Sequence, residues 1–125
     1  MPSGGSKPVV IVEDDPSMIQ ALDRILRLAG LATISYPSAE ALLANGIAAN
    51  AACIIVDIQL PGLTGFELYA RLIERGVAPP VIFISAFDEP DARTRAQDAG
   101  AIAFLAKPFS GRTLLETVRA ATGVA

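Results

Sequence analysis

Four stretches of this 125-residue chain, residues 8–12, 53–56, 81–84 and 101–105, are apolar at every position. A strand with one wet face alternates apolar and polar residues. An unbroken apolar run of strand length therefore points to a strand covered on both sides, as in a parallel sheet between two layers of helices. The segments between the runs agree. From Pro16, apolar residues recur at Met18, Ala21, Leu22, Ile25, Leu26 and Leu28 with the period of a helix that stops at Gly30 behind Arg24 and Arg27. Residues 32–36 supply another strand, and Ser38 then caps a helix with Ala39, Leu42 and Leu43 on one face, closing near Asn45 and Gly46. The strand at 53–56 is followed by a Leu60-Pro61-Gly62 turn and a helix over 65–75 whose apolar side is Phe66, Leu68, Tyr69, Leu72 and Ile73. A polar helix over 89–99 follows the fourth strand and ends at Gly100, and a helix over 110–121 follows the fifth. Strand and helix alternate five times, which predicts an α/β domain with a doubly wound five-stranded parallel sheet.

The content of the chain narrows what such a domain can do. With 52% hydrophobic residues and a mean hydropathy of +0.47, one compact domain is expected and a disordered chain is excluded. Ten basic residues against 13 acidic ones give a net charge of -3, which leaves no basic footprint for nucleic acid. Histidine is absent altogether, removing Ser/His/Asp and Cys/His catalysis, most zinc sites and any imidazole proton shuttle. The single cysteine, Cys53, has no partner for an internal disulfide and reads as a small buried hydrophobe. No stretch near Met1 resembles a signal peptide, and no apolar run approaches the roughly 20 residues a membrane span needs. A cytoplasmic chain without membrane contact is the expectation.

In doubly wound folds the ligand crevice lies beyond the carboxyl ends of the strands, where the strand order reverses. Here those ends carry Glu13 and Asp14, Asp57, Ser85 and Ala86, and Lys107 and Pro108. Three carboxylates, a hydroxyl and an ammonium then converge. Clustered carboxylates repel one another unless a cation lies among them, and hard oxygen donors suit Mg²⁺. A lysine facing them would contact an anion held on the metal, and a phosphoryl group offers oxygens to both cations. Asp57, alone at the end of the central strand, is the candidate carboxylate nucleophile, able to form an acyl phosphate. Each residue also has a plainer reading. The acids at 13–15 ahead of Pro16 could cap the first helix, and Asp15 is expected to do only that. Lys107 could be a surface lysine, Ser85 the start of a loop, and Phe104 a core aromatic; the joint occurrence of Asp57, Ser85 and Lys107 at equivalent strand ends argues against coincidence for those three, whereas an aromatic inside a strand is ordinarily core. Gly62 and Gly65 are read as a turn with positive φ and a close backbone approach.

The residues Val12-Glu13-Asp14-Asp15, Val56-Asp57-Ile58-Gln59-Leu60-Pro61-Gly62-Leu63-Thr64-Gly65, Ile84-Ser85-Ala86 and Ala106-Lys107-Pro108-Phe109 resemble the receiver domain of two-component response regulators. The resemblance runs from about 8 to 121, and the stretch 80–109 is most similar to receivers of the FixJ type. It implies a flavodoxin-like (βα)5 fold and a signalling phosphoacceptor rather than an enzyme. Asp57 is implied to take its phosphoryl group from the phosphohistidine of a sensor histidine kinase or phosphotransfer protein, which matches the absence of histidine here. By the same resemblance Asp14 and Asp57 coordinate Mg²⁺ with the Gln59 backbone carbonyl, and Glu13 acts directly or through water. Lys107 would pair with one phosphoryl oxygen and Ser85 would donate its hydroxyl to another; serine keeps the donor of the commoner threonine but loses the methyl that stiffens χ1. Phe104 stands at the position of an aromatic switch that turns inward as Ser85 moves. The output is implied to be a shifted surface of the fourth helix, fifth strand and fifth helix, which also offers a homodimer contact. The same resemblance makes the Lys107-Pro108 bond a candidate cis peptide and implies that Gln59 and Phe87 flank the site and tune phosphoryl lifetime. Residues 1–7 read as a flexible leader, 8–121 as the receiver and 122–125 as a tail without an effector domain, so either a stand-alone receiver or one cut from a longer protein is expected.

Two other classes fit less well. A haloacid-dehalogenase-type phosphatase wants a second acid two residues after its aspartyl nucleophile, where Gln59 stands, and a flavin binder wants a phosphate loop where residues 13–15 are all acidic. A receiver that keeps the fold but is never phosphorylated is the remaining alternative.

Overall fold

The computed structural model describes residues 7–45, 50–77, 79–86 and 90–123. Its elements run β1 (Val9–Val12), α1 (Pro16–Leu28), β2 (Thr33–Tyr36), α2 (Ala39–Asn45), β3 (Cys53–Asp57), α3 (Gly65–Glu74), β4 (Val81–Ser85), α4 (Pro90–Ala99), β5 (Ala103–Ala106) and α5 (Gly111–Thr122). All strand pairings are parallel, in the order β2-β1-β3-β4-β5. The doubly wound α/β sheet expected from the sequence is therefore present. Expectations on Phe87, on Glu89, on Gly46, on 1–6 of the leader and on 124–125 of the tail fall outside the described residues.

The two layers follow from strand alternation. Val9, Ile11, Cys53, Ile55, Ile82 and Ile84 face one side and pack with Leu22 and Leu26 of α1 and Leu114 and Val118 of α5. Val10, Val12, Ile54, Val56 and Phe83 face the other and meet Leu42, Leu68, Leu72 and Ala96. Burying a leucine or valine stabilises by about 1.5–3 kcal/mol, and α1, α3 and α5 each bury two such residues, Leu22 and Leu26, Leu68 and Leu72, and Leu114 and Val118. The described buried residues of α4 are only Ala92 and Ala96. Its arginines instead lie over aromatic rings, Arg93 4.8 Å from the centroid of Phe104 and Arg95 4.4 Å from that of Phe66. Consistent with this thin cover, edge strand β5 is only half-buried along its length despite its apolar sequence. It also starts two residues later than the apolar run suggested, because Ala101 N–H donates to the Ala96 carbonyl and closes α4.

Side chains and special backbone fix the entries to the helices. Asp15 accepts from Ser17 N–H at 3.0 Å and caps α1, the role expected for it. Thr64 and Glu67 form a capping box at α3, and Ser110 caps α5. Gly62 has φ +74°, the left-handed region a turn glycine serves. Gly65 has a different reason: a Cβ there would lie 2.7 Å from both the Asp57 carbonyl oxygen and Val56 Cγ1. Its own N–H donates to Ile58 O at 3.0 Å, closing the loop between β3 and α3. Gly65→Ala is expected to destabilise the domain by about 1–3 kcal/mol, because backbone is the obstructing atom and cannot turn aside. Urea denaturation checks this, and an unchanged midpoint would show that the loop relaxes freely.

Candidate functional site

Strand order reverses at β1, which has β2 on one side and β3 on the other, so a crevice opens between the ends of β1 and β3. Val12 is paired with Val56, which sets Glu13 beside Asp57. Both are buried, whereas Asp14 is exposed at the crevice mouth. One carboxylate oxygen from each of Glu13, Asp14 and Asp57 lies within 4.8 Å of the others. Lys107 enters from the end of β5, held there by its own N–H donating to Ser85 O at 2.7 Å and followed by a cis peptide to Pro108. Its Nζ lies 2.8 Å from Glu13 Oε1 and 3.0 Å from Asp57 Oδ2. The other oxygen of Asp57 accepts from Gln59 N–H at 2.8 Å, and Asp14 N–H donates to Glu13 Oε2 at 3.2 Å.

Burial chiefly, and the adjoining Asp57 carboxyl next, raise the pKa of Glu13 to about 7 against the pull of Lys107. For Lys107 burial works against the charged form, but the hydrogen bonds it donates to Glu13 and Asp57 outweigh it and lift the ammonium above its ordinary value. Three carboxyl groups with one ammonium among them leave negative charge in excess, all on hard oxygen donors and, among the described residues, with no nitrogen or sulfur ligand. That donor set fits Mg²⁺.

Glu13, Asp57 and Lys107 are thus in direct contact, Asp14 stands beside them, and the Gln59 peptide touches Asp57 through its N–H. Ser85 is buried at the end of β4, one residue past Ile84, the partner of Asp57 across the sheet. Phe104 is not at the crevice: it sits half-buried in β5, paired with Phe83, under the Arg93 guanidinium. Cys53 is buried and its thiol is pushed up to about 12 by burial, as a structural cysteine should be. Sequence reasoning missed Glu40, whose carboxylate reaches from α2 to the β3–α3 loop and accepts from Leu63 N–H at 3.0 Å. Its polar position in the first turn of α2 was the only signal, and a contact 23 residues away leaves no local pattern.

Residues 9–119 match the family model of the response regulator receiver domain. Nodulation protein W of Bradyrhizobium diazoefficiens is 36% identical over 114 residues, covering 91% of this chain and 50% of that protein. The transcriptional regulatory protein FixJ of Azorhizobium caulinodans is 34% identical over 118 residues, 94% of this chain and 56% of that protein. The chain therefore spans about half the length of these relatives. Among solved structures, FixJ-N superposes with a TM-score of 0.85 at 28% identity, covering 96% of each chain. The chemotaxis protein CheY4 of Vibrio cholerae does so with a TM-score of 0.84 at 26% identity, covering 93% of this chain and 98% of that one.

Proposed function

This chain belongs to the response regulator receiver domain family, and from that premise we propose that Asp57 is the phosphoacceptor through which a sensor kinase or phosphotransfer protein signals. The observation that carries the reading is the Asp57 carboxylate, buried and held at both oxygens, by Gln59 N–H on one and Lys107 Nζ on the other. An Asp57 oxygen attacks the phosphorus of a partner's phosphohistidine; the P–N bond breaks, the imidazole leaves, and an acyl phosphate remains on Asp57. Lys107 turns its ammonium from the two carboxylates to an oxygen of the transferred group, and the Ser85 hydroxyl donates to another. Asp14, Asp57 and the Gln59 carbonyl would hold Mg²⁺, with Glu13 acting directly or through water. When bound, the ion neutralises the excess negative charge that otherwise repels an incoming phosphoryl group.

Movement of Ser85 toward the phosphoryl group draws Phe104 inward, away from Arg93, and changes the α4-β5-α5 surface. That surface is the proposed output and homodimer contact, over a receiver unit of residues 8–121. The chain works in this reading as a phosphoprotein switch in the cytoplasm, where kinases form phosphohistidine, and without touching nucleic acid itself. Among the described residues no helix is long and apolar enough to cross a membrane.

The test is to incubate the domain with acetyl phosphate and Mg²⁺, follow intact mass, and trap the product with borohydride, which reduces an acyl phosphate to an alcohol. One phosphoryl group and a homoserine at position 57 are expected. Loading on another residue, or none, would overturn the reading.

A further inference from the structure

We propose that Glu40 is a positioning residue for the phosphoacceptor site: from α2 its carboxylate anchors the β3–α3 loop and thereby orients the Gln59 peptide. The proposal rests on the phosphoacceptor reading of Asp57 given above. The loop is tied at its start by Gln59 N–H to Asp57 Oδ1, across its base by Gly65 N–H to Ile58 O, and at its end by the Thr64–Glu67 capping box. Leu60 sinks into the core midway. The tip at Gly62 and Leu63 is held from another element, with Leu63 N–H donating to Glu40 Oε2 at 3.0 Å.

The carboxylate is built into the turn rather than laid on it. A Cβ on Gly62 would collide with Glu40 Oε2, so the absence of a side chain at 62 makes the space the carboxylate fills. The hydrogen bond from Leu63 holds the Glu40 carboxyl below its usual range and keeps it ionised, which makes the bond charge-assisted. Both backbone polar groups of Gln59 matter to the site: its N–H, in the 58–59 peptide, orients Asp57, and its carbonyl, in the 59–60 peptide, is the proposed third ligand of Mg²⁺. A tip released from α2 frees the backbone on both sides of Gln59, which misdirects the carbonyl and loosens the N–H together.

Two readouts test this with the full chain. The first is amide hydrogen exchange in the metal-free protein; the second is titration with Mg²⁺ alone, followed by NMR. Glu40→Ala is expected to speed exchange at Gln59 as well as at Leu63 and to weaken Mg²⁺ binding about fivefold, the scale of one lost hydrogen bond. Glu40→Gln keeps an acceptor oxygen and should recover most of both effects. Glu116→Ala, which removes an exposed acid from α5, should change neither. If Glu40→Ala frees Leu63 but leaves Gln59 exchange and Mg²⁺ affinity untouched, Glu40 is a local cap and the proposal falls. Gly62→Ala gives a second variant, driving a methyl into the carboxylate; it must disturb both readouts, and silence in either also overturns the role. Failure of the wild type to bind Mg²⁺ would strike the phosphoacceptor reading instead, with the coupling of Leu63 to Gln59 still decided by exchange.

Discussion

Lys107→Met is expected to cost about 3 kcal/mol of stability at pH 8 and to slow loading from acetyl phosphate roughly 100-fold. Methionine keeps the apolar stem of the lysine and removes only its head, so the effect is one of charge. In the wild type, Nζ lies 2.8 Å from Glu13 and 3.0 Å from Asp57, both buried. Removing one partner from a buried ion pair strands the other, with a penalty of about 3–5 kcal/mol; the lower end applies because the lysine side chain is itself 16% exposed. The Lys107 pKa is raised in the fold, so its contribution is complete at every pH below the ordinary 10.5 and fades only as pH climbs through the higher folded value. The pH dependence of the loss comes from the carboxyls it leaves behind. At pH 5 Glu13 keeps its proton and less charge is stranded, so the loss should shrink; it should grow as pH rises past about 7 and Glu13 gives up that proton. The slower loading reflects a missing positive group at the phosphoryl oxygens, for which losses of about 10²–10³ are typical. Urea titrations at the two pH values and the loading rate measure all of this. A uniform loss across pH would mean that the ammonium acts through packing, and an unchanged rate would remove Lys107 from the chemistry.

The fold and most of the crevice were legible because both rest on short-range patterns. Uninterrupted apolar runs announced a doubly covered sheet, and that topology alone brings the ends of β1, β3, β4 and β5 to one rim, with Glu13, Asp57, Ser85 and Lys107 at or just past them. What the pattern could not assign is which of two adjacent acids turns inward. The sequence reading gives Asp14 as a direct ligand and Glu13 as the less direct one. In the structure Glu13 is the buried partner of Lys107 and Asp14 the exposed one. Tertiary contacts of exposed polar residues were likewise silent. Glu40 meets Leu63 and Arg93 meets Phe104 through geometry that no periodicity encodes. The half-buried state of β5 was hidden for the same reason: its own residues are apolar, and the deficit lies in α4, whose described buried positions are alanines.

The inward position of Glu13 has a measurable result in the absence of Mg²⁺: stability should fall as pH rises from about 4.5 to about 7. Glu13 titrates at about 7 in the fold against an ordinary 4.5. Between those values the folded chain keeps a proton that the unfolded chain has released. A group with a raised folded pKa contributes its full stability below the unfolded value and loses it as pH passes the folded one. The difference amounts to about 3 kcal/mol over the window. Of the groups facing Glu13, Lys107 stays charged throughout because its own pKa is raised, and the Asp57 carboxyl adds to the upward shift. Glu13→Gln, which cannot titrate, should flatten the profile. A divalent cation reverses the preference, since it favours the ionised carboxylate, so Mg²⁺ binding at pH 6 should expel close to one proton from Glu13 and strengthen up to tenfold per pH unit until about pH 7. Calorimetric titrations at pH 6 in two buffers of different ionisation enthalpy count that proton directly. A count of zero in the wild type, or an equal count in Glu13→Gln, would show that Glu13 is already ionised in the metal-free fold and that Lys107, not a proton, balances its charge.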